Sequence, residues 1–309
     1  MYRKMLVALD TSELSAASFP YAKELAARLN LSVILLHVHS PEERGVISRL
    51  QADIDHKAEI VKRQSEEVQK KIGVEPRDTV IQVQGEVAVG SPDEEILRCA
   101  TENDVDLILM ATHGRSGIRR LVLGSVAEKV LRASNVPVWL VRPGTPEEVV
   151  YDRWPGRTML VPLDGSALAE AVLPHVEVLS QQQGTDTVDV ILLRVYSHPV
   201  PPPVNEYTTA SLDEYMQMET ARRKETAEEY LAQTENKLRD KGLVVRSEVL
   251  EGRPADEIIC YANANPCNLI VMSTHARSGL HQAIRGSVAA KVLQKADSPI
   301  VLVKAPQSD

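Results

Sequence analysis

Residues 107–142 read LILMATHGRSGIRRLVLGSVAEKVLRASNVPVWLVR, and residues 269–304 read LIVMSTHARSGLHQAIRGSVAAKVLQKADSPIVLVK. Set 162 positions apart, the two stretches share 18 of 36 residues without a gap, so one unit occurs twice. The repeat extends backwards. KMLVALDTS at 4–12 aligns with TMLVPLDGS at 158–166, and VILLHV at 33–38 aligns with VILLRV at 190–195. Ten residues beyond each aspartate stands a proline, Pro20 or Pro174. A chain of 309 residues has room for two cores of roughly 150 residues. The expected division is a first domain over 1–143, a linker over 144–157 rich in Pro, Gly and charge, and a second domain over 158–305.

Each copy follows one order of elements. An apolar strand ends in Asp, and a helical segment of about 16 residues follows. Next come a second apolar strand, a long helical stretch, a third and weaker strand, and a helix opening near Pro92 or Pro254. VDLILMAT and CNLIVMST are fourth strands; a helix starting near GSV and a last strand, VPVWLVR or SPIVLVK, complete the unit. Continuous apolar strands alternating with helices predict parallel sheets covered on both faces. The fold class is therefore α/β, with two tandem open five-stranded parallel sheets flanked by helices. Gly73 and Gly242 are the expected stops of the long helices. The proline-rich stretch SHPVPPPVNEY at 197–207 reads as an extended surface loop. Arg222-Arg223-Lys224, followed by Glu225, Glu228 and Glu229, reads as a solvated, salt-bridged helix face.

Composition removes several function classes. A formal charge of -8 disfavours general binding to nucleic acid or to anionic membranes. One Phe and two Trp leave little to stack unpaired bases. No apolar run reaches the roughly 20 residues that span a bilayer. Cys99, Cys260 and Cys267 form neither a C-x-x-C pair nor a metal spacing, and they read as incidental thiols of a reducing compartment. The amino terminus runs straight into a strand pattern without a secretion signal, which places the expected location in the cytoplasm.

In open parallel sheets ligands bind beyond the carboxyl ends of the strands, and the unusual residues fall there. Asp10 and Asp164 close the first strand of each copy; Ala111-Thr112-His113-Gly114 and Ser273-Thr274-His275-Ala276 close the fourth. Gly124-Ser125 and Gly286-Ser287 open the following helix, whose free N–H groups and partial positive charge suit a phosphate. The loop between them carries Arg115, Arg119 and Arg120 in copy one, and Arg277 and Arg285 in copy two. Plainer readings stand beside these. Asp10 and Asp164 fit helix caps, GSV fits a well-capped helix start, and Met110 and Met272 fit core positions. His113 and His275 lack a nucleophile and acid partner nearby in sequence, so an orienting or packing role suits them better than that of a base.

With these residues in place the chain resembles a tandem universal stress protein of the ATP-binding kind, over both halves nearly end to end. The carrying pattern is G-x-x-G, nine residues, then Gly-Ser or Gly-Thr, after a strand ending in Met; here Gly114 fills its second glycine and Gly124-Ser125 its close, behind Met110. The resemblance implies a five-stranded parallel sheet with helices on both sides, and pairing of domains through their last strands. It implies that Asp10 and Val38 contact ribose and adenine, with Met110 lining the pocket. Gly114, Arg115, Gly124, Ser125 and Val126 then face the phosphates. In copy two the matching positions are Asp164, Val195, Met272, Gly286, Ser287 and Val288. The implied cofactor is ATP, with Mg2+ accompanying it.

Departures from the family pattern rank the copies. Copy one has Ala111 at the motif's first glycine; copy two has Ser273 there and Ala276 at the second. If those positions require a positive φ, each Cβ costs roughly 1–2 kcal/mol and also obstructs the phosphates. Nucleotide is therefore expected mainly in copy one. The expected function is regulatory ATP binding in a stress response, without catalysis beyond at most a slow ATPase. No His-x-Gly-His or Ser-Gly-Gly-x-Asp-Ser motif of adenylating relatives occurs. The competing reading is a nucleotide-free scaffold. Expected partners are an adenine nucleotide and a regulatory protein. The last strands of the two copies are expected to pair within the chain, each covering the other's open edge, and a homodimer of two such chains stays open as a further partner.

Overall fold

The computed structural model describes residues 1–10, 17–39, 47–73, 81–112, 123–142, 157–184, 188–201, 209–265, 267–274 and 288–304. The first half runs β1 (Lys4–Leu9), α1 (Ser18–Leu29), β2 (Ser32–His39), α2 (Ile47–Ile72), β3 (Val83–Val89), α3 (Pro92–Glu102), β4 (Leu107–Ala111), α4 (Ser125–Ala133) and β5 (Val138–Val141). The second half repeats it as β6 (Arg157–Pro162), α5 (Ala167–Glu170), α6 (Leu173–Gln183), β7 (Val188–Tyr196), α7 (Thr209–Arg239), β8 (Val244–Glu251), α8 (Pro254–Ala264), β9 (Leu269–Thr274), α9 (Val288–Lys295) and β10 (Ile300–Lys304).

All ten strands join one sheet in the order β3-β2-β1-β4-β5-β10-β9-β6-β7-β8. Within each half the pairs are parallel. At the seam β5 and β10 run antiparallel, with Ile300 opposite Leu140, Val301 opposite Trp139 and Leu302 opposite Val138. The two expected five-stranded sheets are thus fused edge to edge, which leaves neither central strand with an open edge. Helices cover both faces, and each face holds a buried apolar layer with residues from both halves. The repeat reaches single hydrogen bonds. Asp106 Oδ2 accepts from Lys4 N at 3.0 Å, and Asn268 Oδ1 accepts from Thr158 N at 2.8 Å, pinning the starts of β1 and β6.

Punctuation residues act as their chemistry demands. Pro92 and Pro254 open α3 and α8, where a missing N–H leaves no bond unmade. Gly73 and Gly242 follow α2 and α7 at φ 66° and 84°; a Cβ there would meet nothing within 4 Å, so backbone conformation alone favours glycine. Pro20 lies in the first turn of α1, where it is tolerated. Pro174 sits four residues after Glu170, whose carbonyl its ring would strike in a continuous helix. The single helix expected after β6 is accordingly split into α5 and α6.

The face at Arg222–Lys224 is ion-paired as expected, with Glu219 as an added partner. Arg222 Nε and Arg223 Nε reach Glu219 at 2.8 and 3.0 Å, and Lys224 reaches Glu228 at 3.6 Å. Residues 197–201 of the proline-rich stretch carry no helix or strand, with Val200 exposed; 202–207 lie outside the described residues.

A polar cluster reinforces the seam on the face where α1 packs against α6. The Gln182 side chain accepts from Tyr2 N at 2.8 Å and donates to Tyr2 O at 2.8 Å and Leu29 O at 3.1 Å. The Tyr2 hydroxyl lies 2.6 Å from His175 Nδ1, with the rings stacked at 6.1 Å. Burial first, and the charged amino terminus second, push the His175 pKa down. Across the seam Arg142, just after β5, donates from Nη1 to Ala296 O, just before β10, at 2.6 Å.

Candidate functional site

Strand order reverses between β1 and β4, and again between β6 and β9, so each half has a switch point at the carboxyl ends of its strands. In the first half Asp10 follows β1 directly and is partly buried. Val38, near the end of β2, is partly buried and packs on the same apolar layer as the buried Met110 of β4. Gly124 N donates to Thr112 O at 2.8 Å, which draws the start of α4 onto the end of β4. The first described intrahelical bond of α4 is Glu128 N to Gly124 O at 2.9 Å. Ser125, Val126 and Ala127 precede it in the first turn, where N–H groups lack helical acceptors, and the cap residue, Gly124, has no side chain to offer them. The start of α4 thus offers backbone donors for an anion beside the switch point.

A cross-helix pair holds that helix. Lys129 Nζ of α4 lies 3.1 Å from Asp93 Oδ1 in the first turn of α3, and the Ser91 hydroxyl donates to the same carboxylate at 3.0 Å. Desolvation pulls the Asp93 pKa up, but the bonds from Lys129 and Ser91 with the Lys129 charge outweigh it and hold the carboxyl below its usual range. Ala255 occupies the place of Asp93 when Pro92 is aligned with Pro254. Only that alignment could have pointed to the pair, since neither residue belongs to the phosphate motif.

In the second half Val195 is partly buried and Met272 buried on the equivalent layer. Asp164 is exposed, and its Oδ1 accepts from Ser166 N at 2.9 Å and Ser166 Oγ at 2.6 Å. Ser166 is the cap of α5, with its Oγ accepting from Ala169 N at 3.1 Å. The capping expected of Asp164 therefore falls to Ser166, which Asp164 braces. Val288 opens α9, while Gly286 and Ser287 lie outside the described residues. So do Gly114 and Arg115, together with His113, Arg119, Arg120, His275, Ala276, Arg277 and Arg285.

Neither residue at the motif's first position carries backbone strain. Ala111 ends β4 opposite Val141, and Ser273 lies within β9 opposite Val303; both are extended, and neither has a positive φ. Gly124 is extended as well, at φ −60° and ψ 145°. Whatever these positions require of a side chain is a matter of space beside a ligand, because an extended backbone accepts any residue.

Other chemistry is sparse. No group of three or more His, Cys, Asp or Glu among the described residues could hold a metal ion. Burial pushes the Cys99 thiol up to about 12, helped by Glu86, and burial pushes Cys267 up to about 11, so neither forms a reactive thiolate near neutrality. No described helix is long and apolar enough to cross a membrane.

A doubly wound parallel sheet with a helix start drawn onto its switch point defines a Rossmann-like α/β protein. The sequence profile of the Universal stress protein family matches residues 1–142 and again 156–304, and the chain belongs to that family as a tandem member. A universal stress protein of Methanocaldococcus jannaschii is 32% identical over 155 residues, covering 46% of this chain and 96% of that protein. A universal stress protein of Mycolicibacterium smegmatis is 24% identical over 311 residues, covering 97% of this chain and 96% of that protein. The crystal structure of a universal stress protein from Archaeoglobus fulgidus superposes with a TM-score of 0.63 at 20% identity, covering 97% of this chain and 98% of that one.

Proposed function

We propose that this chain is an ATP-binding universal stress protein with a regulatory role in a stress response, and that the first half holds the nucleotide. The observation that carries the reading is the Gly124–Thr112 hydrogen bond of 2.8 Å, which sets the start of α4 beside the end of β4. The donor set fits the ligand: Val38 and Met110 offer an apolar wall for adenine, and Asp10 a carboxylate for the ribose. Gly124, Ser125 and Val126 offer backbone donors for phosphates, with Gly114 and Arg115 completing the loop. Mg2+ would arrive with the triphosphate. The working division remains 1–143 and 158–305 joined by 144–157, in the cytoplasm, with a regulatory protein as the reader of occupancy.

The test is thermal unfolding of nucleotide-stripped protein. Mg-ATP at a hundredfold its Kd adds about 2.7 kcal/mol of stability to a one-site binder. A folded sample whose midpoint does not move with Mg-ATP overturns the reading and favours the scaffold, for which the fused sheet is a sufficient purpose. Steady phosphate release that disappears in Gly124→Val would make the protein a slow ATPase instead.

A further inference from the structure

We propose that Arg194 is a positioning residue for Asp164, presetting the turn with which the second half meets a ribose; this rests on the reading that Asp164 faces nucleotide. Gly165 has φ 85°, and a Cβ there would stand 3.3 Å from Arg194 Nη2 and 3.4 Å from Nη1, so the guanidinium packs against the turn itself. The same guanidinium lies 4.8 Å from the centre of the Tyr230 ring on α7. The Tyr230 hydroxyl donates to Glu170 Oε1 of α5 at 3.0 Å, and Glu170 N donates to Ser166 O at 3.1 Å. Ser166 in turn donates twice to Asp164 Oδ1. The contacts close a circuit from Asp164 through α5 and α7 to β7 and back to Gly165.

The circuit has a chemical consequence. Asp164 Oδ1 is engaged by Ser166, which leaves Oδ2 to accept from a ligand hydroxyl. A carboxylate fixed before binding loses less freedom when it does so. Copy one has Thr11 and His37 where Gly165 and Arg194 stand, so its sequence cannot build the same bracket. The second half thus combines a departure in its phosphate loop with a prearranged ribose end, and its affinity should depend on the ribose hydroxyls more than that of the first half.

The experiment uses full-length Gly124→Val protein, in which the first site is blocked. Calorimetric titration compares Mg-ATP with its 2′,3′-dideoxy analogue, and hydrogen exchange follows the Ser166 and Ala169 amides. Arg194→Ala should quicken both amides about fivefold and weaken ATP by a similar factor, the loss of one stacked cation. The dideoxy analogue should be unaffected. Tyr230→Phe, which keeps the ring and removes the hydroxyl, should shift the same readouts less. Unchanged exchange in Arg194→Ala overturns the proposal even where nucleotide still binds. Equal losses for both ligands overturn it too, since a general structural defect would not distinguish the ribose. Faster exchange with unaltered ATP affinity, or no nucleotide uptake in the Gly124→Val background, instead removes Asp164 from the site, and the positioning role with it.

Discussion

Asp10 and Asp164 each follow the first strand of their half, yet the two halves treat what surrounds them differently. In the first, the brace lies at the start of α4, where Lys129 and Asp93 tie α4 to α3. In the second, it lies at the turn after β6, where Arg194, Tyr230 and Glu170 surround Asp164 and Gly165. Duplication preserved the strands and the sheet order in both halves, while the contacts that stiffen each crevice diverged. A shared fold therefore does not imply two equivalent sites.

The seam should show the largest difference between the halves. Trp139 and Val301 face each other across it, a large residue from one half and a small one from the other, both buried. Trp139→Ala should cost about 3–5 kcal/mol in denaturant unfolding, and Val301→Ala about 2 kcal/mol. Equal losses would show that the halves share the seam evenly.

Binding comes next. Gly124→Val should weaken nucleotide by about 3 kcal/mol, roughly a hundredfold in Kd, because a branched side chain would crowd the donors at the start of α4. Gly286→Val should do little, and matching losses by calorimetry would end the claim that the copies differ. Gln182→Ala strips partners from the buried Tyr2 backbone and should cost about 1–3 kcal/mol of stability while sparing affinity.

The smallest effect is that of His175. Its folded pKa lies below the unfolded value of about 6.5, so the unfolded chain binds the proton first. The stability it guards is whole above that value and declines as pH falls through it toward the folded pKa. Unfolding midpoints measured from pH 7.5 to 5.5 should fall less steeply in His175→Gln; an unchanged slope would remove His175 from the account.

Much of this architecture is legible in the residues. Apolar strands separated by helices, Pro92 and Pro254, Gly73 and Gly242 mark elements through local chemistry, and the repeat of VPVWLVR as SPIVLVK anticipates the seam. The break before Pro174 depends on where the preceding helix starts, which spacing alone leaves open. Ala111 and Ser273 would bear strain only at a positive φ, and ladder pairing, a tertiary matter, keeps both extended. The Lys129–Asp93 and Arg194–Tyr230 contacts join residues 36 positions apart in sequence, so no motif spans them. Gly114 and Arg115 lie outside the described residues, and their role rests on the family resemblance.

The most direct test of the central claim is calorimetric titration of nucleotide-stripped, full-length protein with Mg-ATP, reading stoichiometry together with affinity. One tight site per chain is expected, lost in Gly124→Val, with any second site distinctly weaker. Two equal sites, or no heat from a folded sample, would contradict it.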